Sequence, residues 1–355
     1  MTRKRSSSSS SRKKMVIQRF YFLLETILIF LGIFITSIIL FPLSFLESYG
    51  VIYGISFYLV RAITVIVAVT LFMYVSNFAL YGKRGELILD RDISPSKNFL
   101  GLFGIKRTNF KYQLLYGILI LFLVFIPIDF FTYFFAPQML KYSADVLTFS
   151  STNSYFLEPY LTFLVSVIII QFSVAFYEES LTRGFLANRG SDYISKMSAV
   201  VISSFYFGMG HFAYIFSPAS PSVPTIFPLI WLTEAFFIGV ILSLIVLRRR
   251  WIFPAIFAHG MNNIISANAI WFYLQGFDFI ILGLFLYLPL MLIGIVLLLL
   301  EFPLIKESLS LGTKELKLYL KNEVQIKENT GSKIIRILLD FLFGFLIFVI
   351  GFVFY

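Results

Sequence analysis

Nine long apolar runs govern what this chain can fold into. They cover residues 19–46, 51–81, 112–136, 155–185, 198–217, 224–247, 251–274, 278–300 and 334–355. Each supplies the roughly 20 residues that a helix needs to cross the hydrocarbon core of a bilayer. The runs are continuous rather than alternating, so they predict helices and not barrel strands, whose open edges would leave backbone groups unpaired in lipid. The expected fold is all-α, a polytopic transmembrane helix bundle of eight or nine spans. Hydrophobic residues make up 59% of the chain and charged ones 14%, too few charges to cover a water-facing surface of this size.

The net charge of +10 does not point to nucleic acid, because Lys and Arg sit in short clusters between the apolar runs rather than along one polar face. Basic residues fill the N-terminal tail, the loop from Lys83 to Lys111, the stretch with Arg189 and Lys196, the triplet Arg248 to Arg250, and the segment from Lys306 to Lys333. The alternate connections, around Glu47, Lys141, Pro218 to Pro224 and Asp278, are short or nearly uncharged. By the positive-inside rule this alternation puts the N-terminus in the cytoplasm. The expected membrane is the cell membrane of a prokaryote or the endoplasmic reticulum of a eukaryote.

Residues 1–15, with six basic residues and an unbroken serine run, read as a disordered tail. Residues 16–303 form the membrane bundle, 304–333 a charged cytoplasmic segment, and 334–355 a last span or an amphipathic anchor. The first apolar run is too long for a signal-peptide core and shows no small-residue cleavage site, so it is expected to remain as a span. With no cysteine, disulfides, thiolate nucleophiles and Cys-ligated metals are excluded.

A charged side chain near the bilayer centre costs about 2.5–3.5 kcal/mol by insertion scales, so each one needs a reason. The candidates are Arg61, Asp129, Glu178, Glu179, Arg183, His211, Glu234 and His259, of which the two histidines are the only ones in the chain. In Glu178-Glu179-Ser-Leu-Thr-Arg183 the four-residue spacing puts Glu179 and Arg183 on one helical face. Glu178 is turned by about 100° from Glu179 and has no local cation, which suits a general base. Phe207-Gly-Met-Gly-His211 offers an imidazole beside a small-residue surface. In His259-Gly-Met-Asn262-Asn263, His259 and Asn263 align as two neutral donors able to hold an oxyanion. Counted at 1.5 Å per residue, Glu179 lies about 15 Å before Arg189, His211 about 22 Å after Lys196 and His259 about 14 Å after Arg250, so all three approach from the basic side.

Blander readings stand beside these. Glu179 and Arg183 serve equally as a packing salt bridge, and each histidine as a hydrogen-bonded core residue. Two histidines and a glutamate also make a zinc site, and intramembrane acids and histidines can relay protons in a transporter. Arg61 reads as snorkelling or paired with Asp129, and Glu234 as bordering the site or closing a helix–helix hydrogen bond.

The ordered motifs Glu-Glu-x-x-x-Arg, Phe-x-x-x-His and His-x-x-x-Asn, spread over about 155–270, resemble the CAAX prenyl-protease type II and bacteriocin-processing family, also called the ABI family. That resemblance implies an intramembrane glutamate endopeptidase without a required cofactor, in which Glu178 and His211 activate water and His259 and Asn263 hold the carbonyl oxygen. Glu179, Arg183 and Phe207 would orient the site or bind substrate. It also implies a membrane-associated or prenylated protein substrate; in eukaryotic members of that family the substrate is a prenylated protein that loses the last three residues after its lipidated cysteine. A catalytically silent immunity factor, chaperone or scaffold of the same fold is the alternative, and a zinc-dependent protease the second.

Overall fold

The computed structural model describes residues 8–79, 94–217, 224–321 and 329–354. Among them there are helices and no strands. In order these are α1 (Ser8–Ser37), α2 (Val51–Ala79), the short α3 (Pro95–Gly101), α4 (Phe110–Phe135), α5 (Gln138–Thr148), α6 (Tyr160–Tyr193), α7 (Lys196–Phe212), α8 (Ile226–Arg249), α9 (Phe253–Leu274), α10 (Phe279–Leu300), α11 (Phe302–Lys321) and α12 (Thr330–Phe354). Parts of the expected basic loops, 80–93 and 322–328, and most of the 218–224 connection lie outside the described residues.

Eight of the helices are long and apolar enough to cross a membrane. Of the nine spans expected from the apolar runs, the one outside these eight is α9, whose apolar face is interrupted by His259, Asn262, Asn263 and Asn268. It is shielded by α4 and α6, which pack along it. On the outside of the bundle Phe41, Phe78, Phe285 and Leu299 are 74–80% exposed, an apolar surface that only lipid solvates at low cost. The chain is an integral multi-pass membrane protein. Helix α1 begins at Ser8 rather than after residue 15, so residues 8–15 are helical where a disordered tail was expected. Lys and Arg are favourable helix residues, and a helix nucleated by the apolar run extends readily into them.

Helix α6 stands at the centre, with α2 on one side, α9 on the other and α7 against its last turns. Two apolar cores flank it. One joins α6 to α4, α5, α8, α9 and α10, the other joins it to α1, α2, α7 and α12. Helix α12 packs along α1 and α7, where Gly344 lets it approach the Ile202 carbonyl.

Helices in lipid gain little from burying one apolar surface against another, so close contacts and polar links carry the association. The Arg248 to Arg250 triplet ends α8 and ties it outward. Arg248 donates to Glu307 of α11, Arg249 to Tyr116 of α4, and Arg250 to Asn98 of α3 and Asn188 of α6. Arg250 itself takes a left-handed backbone (φ 59°) that closes the helix with a bond to the Val246 carbonyl. The triplet thereby joins α8 to α3, α4, α6 and α11.

Two fully enclosed ion pairs hold α1. Arg19 donates to Asp340 of α12 at 2.6 and 2.8 Å and to Ser198 of α7 at 3.1 Å. Arg189 at the end of α6 pairs with Glu25 at 3.1 Å. Removing one partner of such a pair leaves a buried charge uncompensated. Asp340→Ala is therefore expected to lose about 3–5 kcal/mol and to melt markedly lower in detergent. Replacing both partners, as Arg19→Met with Asp340→Leu, should restore much of that loss, and thermal unfolding of the three variants checks both statements.

Candidate active site

The site is assembled where α6 changes its winding. The α-helical part of α6 ends at Glu179, and residues Ser180–Ala187 continue as a π-helix. The wider turn displaces backbone carbonyls from their usual donors. Side-chain hydroxyls add bonds at this turn: Ser180 donates to the Phe176 carbonyl and Thr182 to the Glu178 carbonyl, each at 2.5 Å. Ser203 of α7 donates to the Thr182 carbonyl at 2.8 Å, which fixes α7 against this turn.

Glu179 is the centre of the cluster. Its side chain is 0% exposed, and its Oε1 accepts from Arg183 Nη1 at 2.9 Å and from His259 Nδ1 at 2.8 Å. The first partner is one helical turn away, as the sequence spacing predicts. The second comes from α9, brought close because Gly260 packs against the Phe172 ring of α6, where a Cβ would collide. Arg183 also donates to Thr182 Oγ1 at 2.8 Å and lies 4.2 Å over the Phe207 ring.

Glu178 is placed differently. Its side chain is 27% exposed, with Oε2 3.7 Å from His259 Nε2 and Oε1 3.4 Å from the Tyr177 hydroxyl. His259 thus lies between the two carboxylates, one nitrogen toward each. Because a carboxylate facing Nδ1 can only accept, the Nδ1 proton belongs to the Glu179 bond.

Phe207 links the remaining parts. It meets His211 edge-on at 4.8 Å and His259 edge-on at 5.8 Å, besides covering Arg183. His211, half-buried near the end of α7, turns Nδ1 to the Phe207 carbonyl at 3.0 Å. It is within electrostatic range of Glu178, Arg183 and His259 but forms no hydrogen bond to them. Asn263 is half-buried one turn beyond His259 and makes no hydrogen bond among the described residues. Of the residues singled out from sequence, Glu178, Glu179, Arg183, Phe207 and His259 are therefore in direct contact, whereas His211 joins through Phe207 and Asn263 lies alongside.

Several participants were not legible from the motifs. Phe125, at the end of a second π-helical turn (Leu121–Phe125), stacks on His259 at 6.0 Å. Asn262 rather than Asn263 is the buried asparagine, 7% exposed. Arg61 does not pair with Asp129. Asp129 accepts from Ser266 of α9, while the Arg61 guanidinium lies over Tyr177 at 5.0 Å. Glu234 accepts from Thr132, closing a hydrogen bond between α8 and α4. Among the described residues no group of three or more His, Asp or Glu side chains converges as a metal-ligand set.

Arg183 lies wholly in the protein, so Arg183→Ala would strand Glu179. The expected loss is about 3–5 kcal/mol, seen as a lower melting temperature in detergent, whereas the half-open Glu178 should tolerate Glu178→Gln within about 1 kcal/mol. Equal melting of the two variants would show that the pair carries no stability.

No curated protein and no solved structure matches this chain. Residues 160–265, which contain every candidate catalytic side chain, match the family model described as type II CAAX prenyl endopeptidase Rce1-like, so this central part of the bundle is similar to that family.

Proposed function

We propose that the protein is an intramembrane endopeptidase of the CAAX-processing type, which hydrolyses a peptide bond of a membrane-associated or lipidated protein with water activated by glutamate and histidine. The observation that carries this reading is the contrast within the glutamate pair. Glu179 is enclosed and committed to Arg183 and His259, while Glu178 keeps an open side beside the same histidine. A general base must reach solvent and substrate, and its neighbours must be held still by others. Glu178 meets the first requirement and Glu179 serves the second.

In this mechanism Glu178 takes a proton from water as the water oxygen bonds to the scissile carbonyl carbon. His211 has its Nδ1 proton on the Phe207 carbonyl, so its neutral Nε2 carries a lone pair that accepts from the same water. The proton passes between Glu178 and His259 Nε2. From there His259, together with the Asn263 amide, donates to the carbonyl oxygen as it gains negative charge. Collapse breaks the C–N bond, and the proton leaves with the new amine. Glu179 and Arg183 keep the His259 ring in register, and Phe207 and Phe125 wall it from lipid. The basic end of the bundle faces the cytoplasm on the charge rule, the side from which a cytosolic prenylated chain end would enter.

Glu178→Gln in purified, reconstituted protein is expected to lower kcat/KM for a prenylated peptide by about 10²–10⁴ while leaving the melting temperature unchanged. His211→Ala should lose a comparable factor. Chelators should leave the rate of the parent protein unaltered; loss restored by zinc would favour the metalloprotease alternative instead. Retained turnover by Glu178→Gln would remove the glutamate mechanism.

A further inference from the structure

The outer face of α11 carries a chemistry that the cluster around Glu179 does not use. This helix lies where several spans end or begin. It follows directly on α10, which stops at Leu300, and its Glu307 accepts from Arg248 in the last turn of α8. Further along, Tyr319 packs with Leu247 of α8 and with Met197 and Val200 in the first turns of α7, and its hydroxyl donates to Asp340 of α12 at 2.9 Å. Gly312 faces Leu244 of α8. Gly312, Glu315 and Tyr319, spaced three and four apart, therefore form the inner face. Resting on the ends of α8 and α10 and the start of α7, α11 sits at the membrane boundary.

Away from that face the helix is basic and apolar in adjoining rows. Lys314, Lys317 and Lys321, with Ser310, Thr313 and Leu318, line an open groove of about 470 Å³. None of the three lysines forms an ion pair among the described residues. The acids of α11 do not offset them, since Glu307 is taken by Arg248 and Glu315 belongs to the inner face. On the neighbouring flank, roughly 100° around the helix, Leu309, Leu316 and Leu320 are 67, 47 and 55% exposed. A leucine row bordered by lysines is the pattern of a helix in the interface, with its apolar flank among acyl chains and its ammonium groups, on flexible stems, at the level of the headgroups. The Ser310 hydroxyl adds a neutral donor, whereas that of Thr313 is spent on the Leu309 carbonyl. Three cations without an opposing carboxylate favour a headgroup of net negative charge over a zwitterionic one. The leucine row and the direct continuation from a span favour lipid over a soluble acidic protein.

We propose that the outer face of α11 binds the headgroups of anionic phospholipids in the leaflet that this helix borders, with Lys314, Lys317 and Lys321 as the cationic contacts and Ser310 as a hydroxyl donor. The site is separate from the glutamate and histidine cluster and does not depend on the endopeptidase reading.

The chain has no cysteine, so Leu320→Cys, on the leucine flank, gives a single attachment point for a fluorophore. The labelled full chain is reconstituted in vesicles of equal parts phosphatidylglycerol and phosphatidylcholine, with the acyl chains of one lipid or the other brominated as a quencher. Brominated phosphatidylglycerol is expected to quench about twofold or more strongly than brominated phosphatidylcholine, and high salt should shrink the excess. Lys314→Gln, Lys317→Gln and Lys321→Gln together should bring the two quenchers to parity, while arginine at the same three positions should keep the excess. Equal quenching by both lipids in the parent overturns the anionic preference. Quenching by neither puts α11 outside the leaflet and overturns the site altogether. An excess that persists in the glutamine variant overturns the assignment to these lysines. An excess abolished by inorganic phosphate, but not by chloride of the same ionic strength, assigns the face to a soluble anion and overturns the lipid. An unchanged melting temperature of the glutamine variant separates lost binding from misfolding; if that variant misfolds, the comparison of the two quenchers and its salt dependence in the parent decide alone.

Discussion

The Glu179 carboxylate holds the rest of the site in place. A single oxygen accepts from Arg183 on its own helix and from His259 on α9, at 2.9 and 2.8 Å, with all three side chains enclosed. Charges taken out of water are stable only when paired and hydrogen-bonded, so no member can move without stranding the others. The pair also gives His259 a fixed tautomer and direction. Everything proposed for Glu178, His211 and Asn263 depends on an imidazole that stays where Glu179 puts it.

Around that point the bundle is joined by polar links and close backbone contacts rather than by apolar burial alone. Arg19 with Asp340 and Arg189 with Glu25 bind α1 to α12 and α6, and the arginine triplet fastens α8 to three or more neighbours. Gly260 lets α9 approach α6 where a Cβ would collide with the Phe172 ring, and Gly344 brings α12 tightly against the Ile202 carbonyl of α7. This is the economy expected of helices in lipid, where the surrounding tails are as apolar as the side chains. Two π-helical turns, ending at Phe125 and following Glu179, supply the irregularity that brings side chains from straight helices to one centre.

The two glutamates illustrate how adjacent, chemically identical residues acquire different work. A step of about 100° around the helix turns one toward Arg183 and the protein interior and leaves the other partly exposed beside His259. Burial then commits Glu179 to structure, while Glu178 retains 27% exposure.

What the sequence determined by itself were the features with a local period. The apolar runs gave the helices and the membrane, the four-residue step gave the Glu179 and Arg183 pair, and the adjacent position of Glu178 gave its separate face. Only the tertiary structure decided which distant groups meet. His259 reaches Glu179 across 80 residues of chain, Phe125 stacks on it from a helix without any motif, and Arg61 finds Tyr177 rather than Asp129 because α2 packs on α6 while α4 packs on α9. Opposite charges in a sequence suggest pairs, but in lipid the order of helices around the bundle decides which of them come within reach, and that order is set by packing contacts with no sequence period.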